Sequence, residues 1–585
     1  MPVETITRAY RFTLDTSPHH TAVLERNAGA ARWAFNHAHR MLLAQHAAYD
    51  QRKQAAAEHL AGMTRDEITA RLPKPERKKL YARARQVVSA ENKVLVAELQ
   101  VWDDHRKRVV HKGKPALDPG DDPGEDGTDL QRQLYARRLH LARLQQADPA
   151  AYTAERKREL EAVRPAILES KQHLAARGAY RPGSFDIASI WRTTRDLPRE
   201  EGGCPWWTEV AVGSITCGFD RADTAWRNWM ASAAGKRAGS RMGVPRFRKK
   251  GKARDSFYLA NAARSVVHLD DYRHLRIIGL GTFRLHESAK RLVRLLRKGL
   301  AEITSVTITR SGHRWHASVL TQVQQEIPDR PTARQRAAGL LAIDLGSAPL
   351  AYLSAPLDPA DPDSRAIQAP KPLHVELSRL TRAQQALART QKGSKRRRKA
   401  ARRVGRIHAL VAARRAGHLH GVSKRLATGA AQLAIEDLDL TALTASAKGT
   451  VEEPGTHVKV KSMFSRHLLD AGLGELRRQL TYKTRWYGST LVILDRGEAT
   501  ATKCSRCGER NPSSSPSRQR FTCPHCGLDV GRRDNAVRNI YKAARRAVTT
   551  SVACGERDTQ NALRDGDHPT AGDGGGPLSL KRPPP

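Results

Sequence analysis

The stretch CSRCGERNPSSSPSRQRFTCPHCGLDVGRRDNAVRNI, residues 504–540, sets two cysteine pairs directly ahead of a segment with helical patterning and a single early aspartate. Cys504, Cys507, Cys523 and Cys526 repeat a C-x2-C pattern, with 15 residues between the pairs. Four thiolates on two tight turns suit one tetrahedral Zn2+ and leave no position for water. Each pair ends in Cys-Gly, as a turn that aims amides at sulfur favours. A closed site of this kind is structural, so any chemistry has to come from elsewhere. Its outgoing strand must place the next segment, which reads as a helix from about Asp534 to Val548 with Val537, Ile540 and Ala544 facing inward.

Upstream, the apolar run LLAIDLG puts Asp344 in a strand, and LAIEDL puts Glu436 in another. A carboxylate inside such a run is costly to bury unless it lies at a strand end or faces a cation. Either acid alone reads as an ordinary strand-end residue. Two strand acids followed by an acid opening a late helix resemble the ribonuclease-H arrangement, in which such carboxylates hold two Mg2+ about 4 Å apart for phosphodiester hydrolysis. Asp437 and Asp439 read as a polar cluster at the strand end, and Asp495 and Asp529 as lesser candidates for the third acid.

The charge says what kind of partner to expect. Across 585 residues the net charge is +43, a self-repulsion that a polyanion would offset. QKGSKRRRKAARRVGR (391–406) holds nine Lys and Arg and no acid, on nearly every side of its helix. Lys392, Lys395, Arg396, Arg397, Arg398, Lys399, Arg402 and Arg403 are therefore expected on phosphates. In RFRKKGKAR (246–254), Arg246, Phe247, Arg248, Lys249 and Lys250 combine cations with a ring, as backbone contact plus stacking requires. His408 reads as structural or phosphate-facing. No apolar run approaches the ~20 residues of a membrane span, and the N-terminus lacks the apolar core of a secretory signal. Seven cysteines, four of them in the ribbon, make no disulfide framework, so a reducing cytoplasm fits.

The N-terminal half reads as a short strand, Tyr10 to Leu14, and then helices to about Cys217. An acidic Gly/Pro run at 118–129 interrupts them as a loop. A second tryptophan-bearing helix follows, with Trp33, Trp226 and Trp229 expected in the core. Short strand-like runs fill 244–325, with the N-terminal strand a candidate to complete them, and helices are expected over 374–428 and 463–486. The Gly/Pro-rich tail after 551 reads as disordered.

The succession YRFTL, ARWAFNHAHR, VPRFRKKG, AIDLG, the basic 391–415 run, AIEDL, the four-cysteine ribbon and DNAVRNI resembles TnpB, the RNA-guided nuclease of bacterial insertion sequences, and the compact type V CRISPR effectors descended from it. The likeness runs from residue 8 to about 545 and leaves out the 100–200 insertion and the tail. It implies a multidomain α+β chain: a β-barrel wedge domain (1–15 and 240–335), a helical recognition lobe (16–239), and a ribonuclease-H-like RuvC domain (336–500 and 527–550) with an inserted zinc ribbon (501–526). The implied partners are a guide RNA and double-stranded target DNA, with a homodimer left open. The implied activity is Mg2+-dependent DNA cleavage by Asp344, Glu436 and Asp534.

The third acid departs from the pattern. The family places an aspartate two residues before Asn-Ala, where this chain has Arg533, and Asp534 is displaced by one. One residue turns a helical side chain by about 100°, which points Arg533 nearer the inward stripe. Two expectations follow: an RNA-guided endonuclease completed by Asp534, or an RNA-guided DNA-binding protein with weakened or absent cleavage. Strand transfer by a transposase is a weaker third.

Overall fold

The computed structural model describes residues 3–110, 119–261, 265–450, 453–496, 501–511 and 519–553. The tail expected to be disordered lies outside them, apart from the end of a helix that reaches Ala553. The chain separates into two units. One comprises the chain up to Leu14, Glu287–Ile303 and everything from Arg310 through the last described helix; the other comprises Asp15–His286 and Thr304–Thr309.

The second unit is built on a 44-residue helix, Pro18–Ala61. Ser17 accepts a hydrogen bond from the His20 amide at 3.1 Å, Pro18 opens the first turn, and Gly62 (φ 60°) closes the helix. Leu24, Ala31, Ala34, Phe35 and Leu42 form its buried stripe, as their spacing predicts. This stripe packs on the Val212–Ala233 helix, and Gly218 sets how close the two come. A Cβ at Gly218 would lie 2.5 Å from the Ala31 carbonyl oxygen. Trp191, Phe219 and Trp226 fill the space beside the contact. Trp226 is core as expected, whereas Trp33 and Trp229 are only partly buried around it. The inserted helices Ala97–Val110 and Pro149–Ala176 have a small core of their own, from Leu99, Val163, Ile167 and Leu174. The expected strands are present: Ser256–Ala260 pairs antiparallel with residues 305–309, and Val267–Leu269, His274–Ile277 and Gly281–Leu285 form an antiparallel meander.

In the first unit, the N-terminal strand Val3–Asp15 is longer than expected and pairs antiparallel with Arg314–Glu326. A separate five-stranded sheet runs in the order Ala366–Ile367, Ala351–Leu353, Leu340–Leu345, Gln432–Glu436, Thr490–Leu494. The last three strands are parallel, and the first two are antiparallel additions. Strand side chains alternate between faces, and both faces here are covered. Leu341, Ile343, Leu433, Ile435 and Leu491 meet Leu419, Val422, Leu426, Leu476 and Leu480 of the helices Lys395–Gly429 and Leu473–Trp486. Ala342, Ala434 and Leu494 meet Val537, Ile540 and Ala544 of the helix Arg532–Ala553. The helix expected over 463–486 is two, Val458–Ala471 and Leu473–Trp486, because Gly472 between them has a left-handed backbone (φ 73°).

Gly218→Leu forces a side chain into the Ala31 backbone. It is expected to cost about 1–3 kcal/mol, read as a lower urea midpoint by tryptophan fluorescence. An unchanged midpoint contradicts the close approach.

Candidate functional site

The four cysteines come together. Their sulfurs lie within 4.8 Å of one another, with Cys504–Cys526 and Cys507–Cys523 each at 3.6 Å. Bonds of about 2.3 Å to a central tetrahedral zinc ion put sulfurs about 3.8 Å apart, so the donor set fits a closed four-sulfur site. The short strands Arg520–Thr522 and Asp529–Gly531 pair beneath it, with Phe521 and Leu528 buried against the sulfurs.

The helix Arg532–Ala553 grips this ribbon. The fully buried Asn535 side chain accepts from the Ser505 amide at 2.8 Å and donates to the Lys503 carbonyl at 2.8 Å. Asn539 donates to the same carbonyl at 2.6 Å, and Lys542 to that of Ser505 at 2.6 Å. The first cysteine turn is thus fastened to the helix at three residues. Sequence reasoning missed this clamp, although two asparagines four residues apart beside a ribbon were a visible cue.

The acids are arranged differently. Ile343 and Ile435 are register partners in adjacent parallel strands, so Asp344 and Glu436 follow them side by side. Asp344 is two residues beyond Ala342, and Glu436 two beyond Ala434. Both acids therefore lie on the face covered by the Arg532–Ala553 helix. Burial pushes the Glu436 carboxyl up to about 7, and the neighbouring Asp344 charge adds to this while Arg532 opposes it. Asp344 is also raised by burial, against the charges of Arg533 and Arg532.

The third position belongs to a cation. Arg533 lies four, seven and eleven residues before Val537, Ile540 and Ala544, so it continues their stripe toward the sheet. Its Nη1 donates to Asp344 Oδ2 at 2.9 Å, and its Nη2 to the Ala348 carbonyl at 3.0 Å. Gly346 leaves room for this, since a Cβ there would lie 2.7 Å from Arg533 Nη2. Asp534, expected beside the other two acids, is bonded by other partners, one of them Tyr352, the cross-strand neighbour of Asp344. Its Oδ1 accepts from the Tyr352 hydroxyl at 3.0 Å and from Arg365 Nη2 at 3.0 Å. The helix begins at Arg532, so Asp534 lies within its first turn, one residue round from the stripe that Arg533 continues. Among the described residues, only the cysteines form a cluster of three or more metal-ligating side chains. So arranged, the acids do not fit a pair of Mg2+ ions, because Asp534 is bonded by Tyr352 and Arg365 and a guanidinium bonds Asp344.

The strand-end acids, and Asp529 of the lesser candidates, are engaged otherwise. Asp437 pairs with Arg477 and with Arg496 (2.8 Å), and Asp439 with Arg496 (3.1 Å), as a strand-end cluster. Asp529 is held by Arg520 across the ribbon hairpin at 2.6 Å.

The basic run begins the Lys395–Gly429 helix, which folds back on Pro372–Ala388. A groove of about 990 Å3 along this pair is lined by Arg379, Arg396, Lys399, Arg402, Arg403 and Arg406 among others. Lys392, Lys395, Arg396, Arg398, Lys399, Arg402 and Arg403 are exposed. Arg397 is a correction: it turns inward and donates to the Leu387 and Thr390 carbonyls at 3.0 and 2.9 Å, closing the end of the preceding helix. In the other unit, Asn36 holds the Arg248 backbone by two hydrogen bonds, of 3.0 and 2.8 Å. The Arg248 guanidinium lies 3.8 Å from the Phe35 ring centre, and Phe247 packs edge-on against His39. Of the five residues expected on nucleic acid here, Arg246, Phe247, Lys249 and Lys250 stay exposed, while Arg248 is largely used to pin the loop.

Asn535→Ala takes the acceptor from the buried Ser505 amide and one of two donors from the Lys503 carbonyl. It is expected to lower stability by about 1–3 kcal/mol and to speed amide exchange at residues 503–508. Exchange at the wild-type rate contradicts the clamp.

Known proteins are similar to this chain. Residues 318–447 match a family model described as "Probable transposase", and residues 474–540 match a model of the Cas12f1-like TNB domain. A Mycobacterium tuberculosis protein named "Putative RNA-guided DNA endonuclease MT2953" is 33% identical over 369 residues, covering 62% of this chain and 75% of that protein. Escherichia coli InsQ, named in the same way, is 31% identical over 318 residues, covering 54% of this chain and 71% of that one. A solved Cas12f1–sgRNA–target DNA complex covers 92% of this chain at 11% identity with a TM-score of 0.38, and a Cas-phi structure covers 92% at 10% identity with a TM-score of 0.30. On the extent of the match to the M. tuberculosis and E. coli proteins, the chain belongs to the TnpB-like family of RNA-guided DNA endonuclease homologues.

Proposed function

We propose that this chain is an RNA-guided DNA-binding protein, which carries a guide RNA to matching double-stranded DNA and has weak or absent cleavage. The observation that carries the proposal is the groove of outward-facing cations on the 372–429 helical pair. A basic wall of that length suits a polyanion, and a guide duplex is recognised through its backbone and shape. The names of the relatives support the same partners. The five-stranded sheet with Asp344 and Glu436 at adjacent strand ends supports a RuvC domain of ribonuclease-H type. The antiparallel strands support a wedge domain, and the helices of the second unit support a recognition lobe. The cysteine cluster would hold one structural Zn2+. No described helix is long and apolar enough to cross a membrane, and cytoplasmic action at the chromosome fits this reading.

Mg2+-dependent cleavage is the second reading. The relatives' names favour it, as do Asp344 and Glu436 sharing one face of the sheet. Arg533 on Asp344 weighs against it.

Four measurements test the proposal. Purified with its co-expressed RNA, the wild type should retain matched DNA in a filter-binding assay and nick matched plasmid slowly or not at all. Arg396→Ala, Lys399→Ala and Arg403→Ala together should reduce the salt slope of guide binding by about 2–3. Arg397→Ala should leave that slope alone and lower stability instead. An unchanged slope in the triple variant removes the groove from guide binding. Elemental analysis should find one zinc per chain, lost in Cys523→Ser; a zinc-free wild type contradicts the ribbon.

A further inference from the structure

We infer that Arg533 is a resident cation filling a latent divalent-metal site of Asp344 and Glu436, and that its removal opens that site. The inference goes beyond guided binding and does not depend on it. Three observations converge. Asp344 and Glu436 stand side by side on one face, which places two hard oxygen donors where a cation such as Mg2+ or Mn2+ would be held. The guanidinium is seated there by more than charge: the Ala348 carbonyl accepts its second nitrogen, and Gly346 gives it space that any side chain would take away. Asp534 is meanwhile bonded to Tyr352 and Arg365, so it does not compete for the same place.

The arrangement makes the site closed yet close to complete. A divalent cation arriving at Asp344 would have to displace the Arg533 guanidinium and leave that positive charge beside its own. Replacing Arg533 by aspartate removes the competing charge. It also places a third carboxylate on the stripe that leads to Val537 and Ile540. Asp534 can then stay where it is. Arg533 acts through Asp344, so it is a positioning residue of this centre and not a catalytic one.

The test is Mn2+ titration followed by electron paramagnetic resonance of the free ion, on the full chain with no target DNA present. Wild type, Arg533→Asp, Arg533→Ala and the double variant Arg533→Asp/Asp344→Asn are compared, with far-ultraviolet circular dichroism and zinc content checking that each is folded. Arg533→Asp is expected to bind Mn2+ at least tenfold more tightly than the wild type. Arg533→Ala should fall between, and the double variant should return to the wild-type level. Plasmid nicking with Mg2+ should rise at least tenfold in Arg533→Asp. The inference is overturned if the wild type already binds Mn2+ as tightly as Arg533→Asp, or if a folded Arg533→Asp binds no more than the double variant. Failure of guide binding alongside the expected Mn2+ gain would count against the proposed function alone.

Discussion

The ion pair between Arg533 and Asp344 joins the two parts of this centre, the sheet and the helix laid across it. Both partners are partly withdrawn from water, where an unpaired charge is costly and removal of one partner strands the other. The pair therefore also fixes the first turn of the helix on the sheet. Its worth is more positional than energetic, since desolvation offsets much of the attraction between buried charges. The same contact that ties the helix down occupies the acid on which metal chemistry would depend.

Position is supplied from the other side by the ribbon. Four sulfurs close one knuckle-and-hairpin unit, and Asn535, Asn539 and Lys542 fasten its first turn to the helix. The helix is thus held between a sulfur-stapled ribbon and the alternating face of a sheet. Its rotation is set by Val537, Ile540 and Ala544, which have no other place to go. With that rotation fixed, residue identity at 533 and 534 decides the chemistry. Arginine meets Asp344, and aspartate meets Tyr352 and Arg365.

Local patterns in the amino-acid order account for a good part of this centre. Cysteine spacing marks the cluster, two apolar runs mark the strands of Asp344 and Glu436, and helical periodicity points Arg533 inward. The expectation that Asp534 would serve as third ligand rested on family likeness, while its carboxylate is bonded by Tyr352 and Arg365. Other features stay hidden in the sequence because they depend on long-range partners. Nothing local marks Arg365 and Tyr352 as the holders of Asp534, or Gly346 as the space for a guanidinium. Arg397 could not be told from its basic neighbours, because its role is set by two carbonyls at the end of the preceding helix. Gly472 broke an expected helix through a left-handed backbone that periodicity cannot register.

Where the guanidinium at 533 stands when metal is offered decides whether this centre is closed. Crystals of the wild-type protein grown in millimolar Mn2+, with anomalous scattering recorded, would read it directly. A closed centre shows the guanidinium on Asp344 and no manganese peak between Asp344 and Glu436. A manganese peak there, with Arg533 swung out and Asp534 turned in, would contradict it.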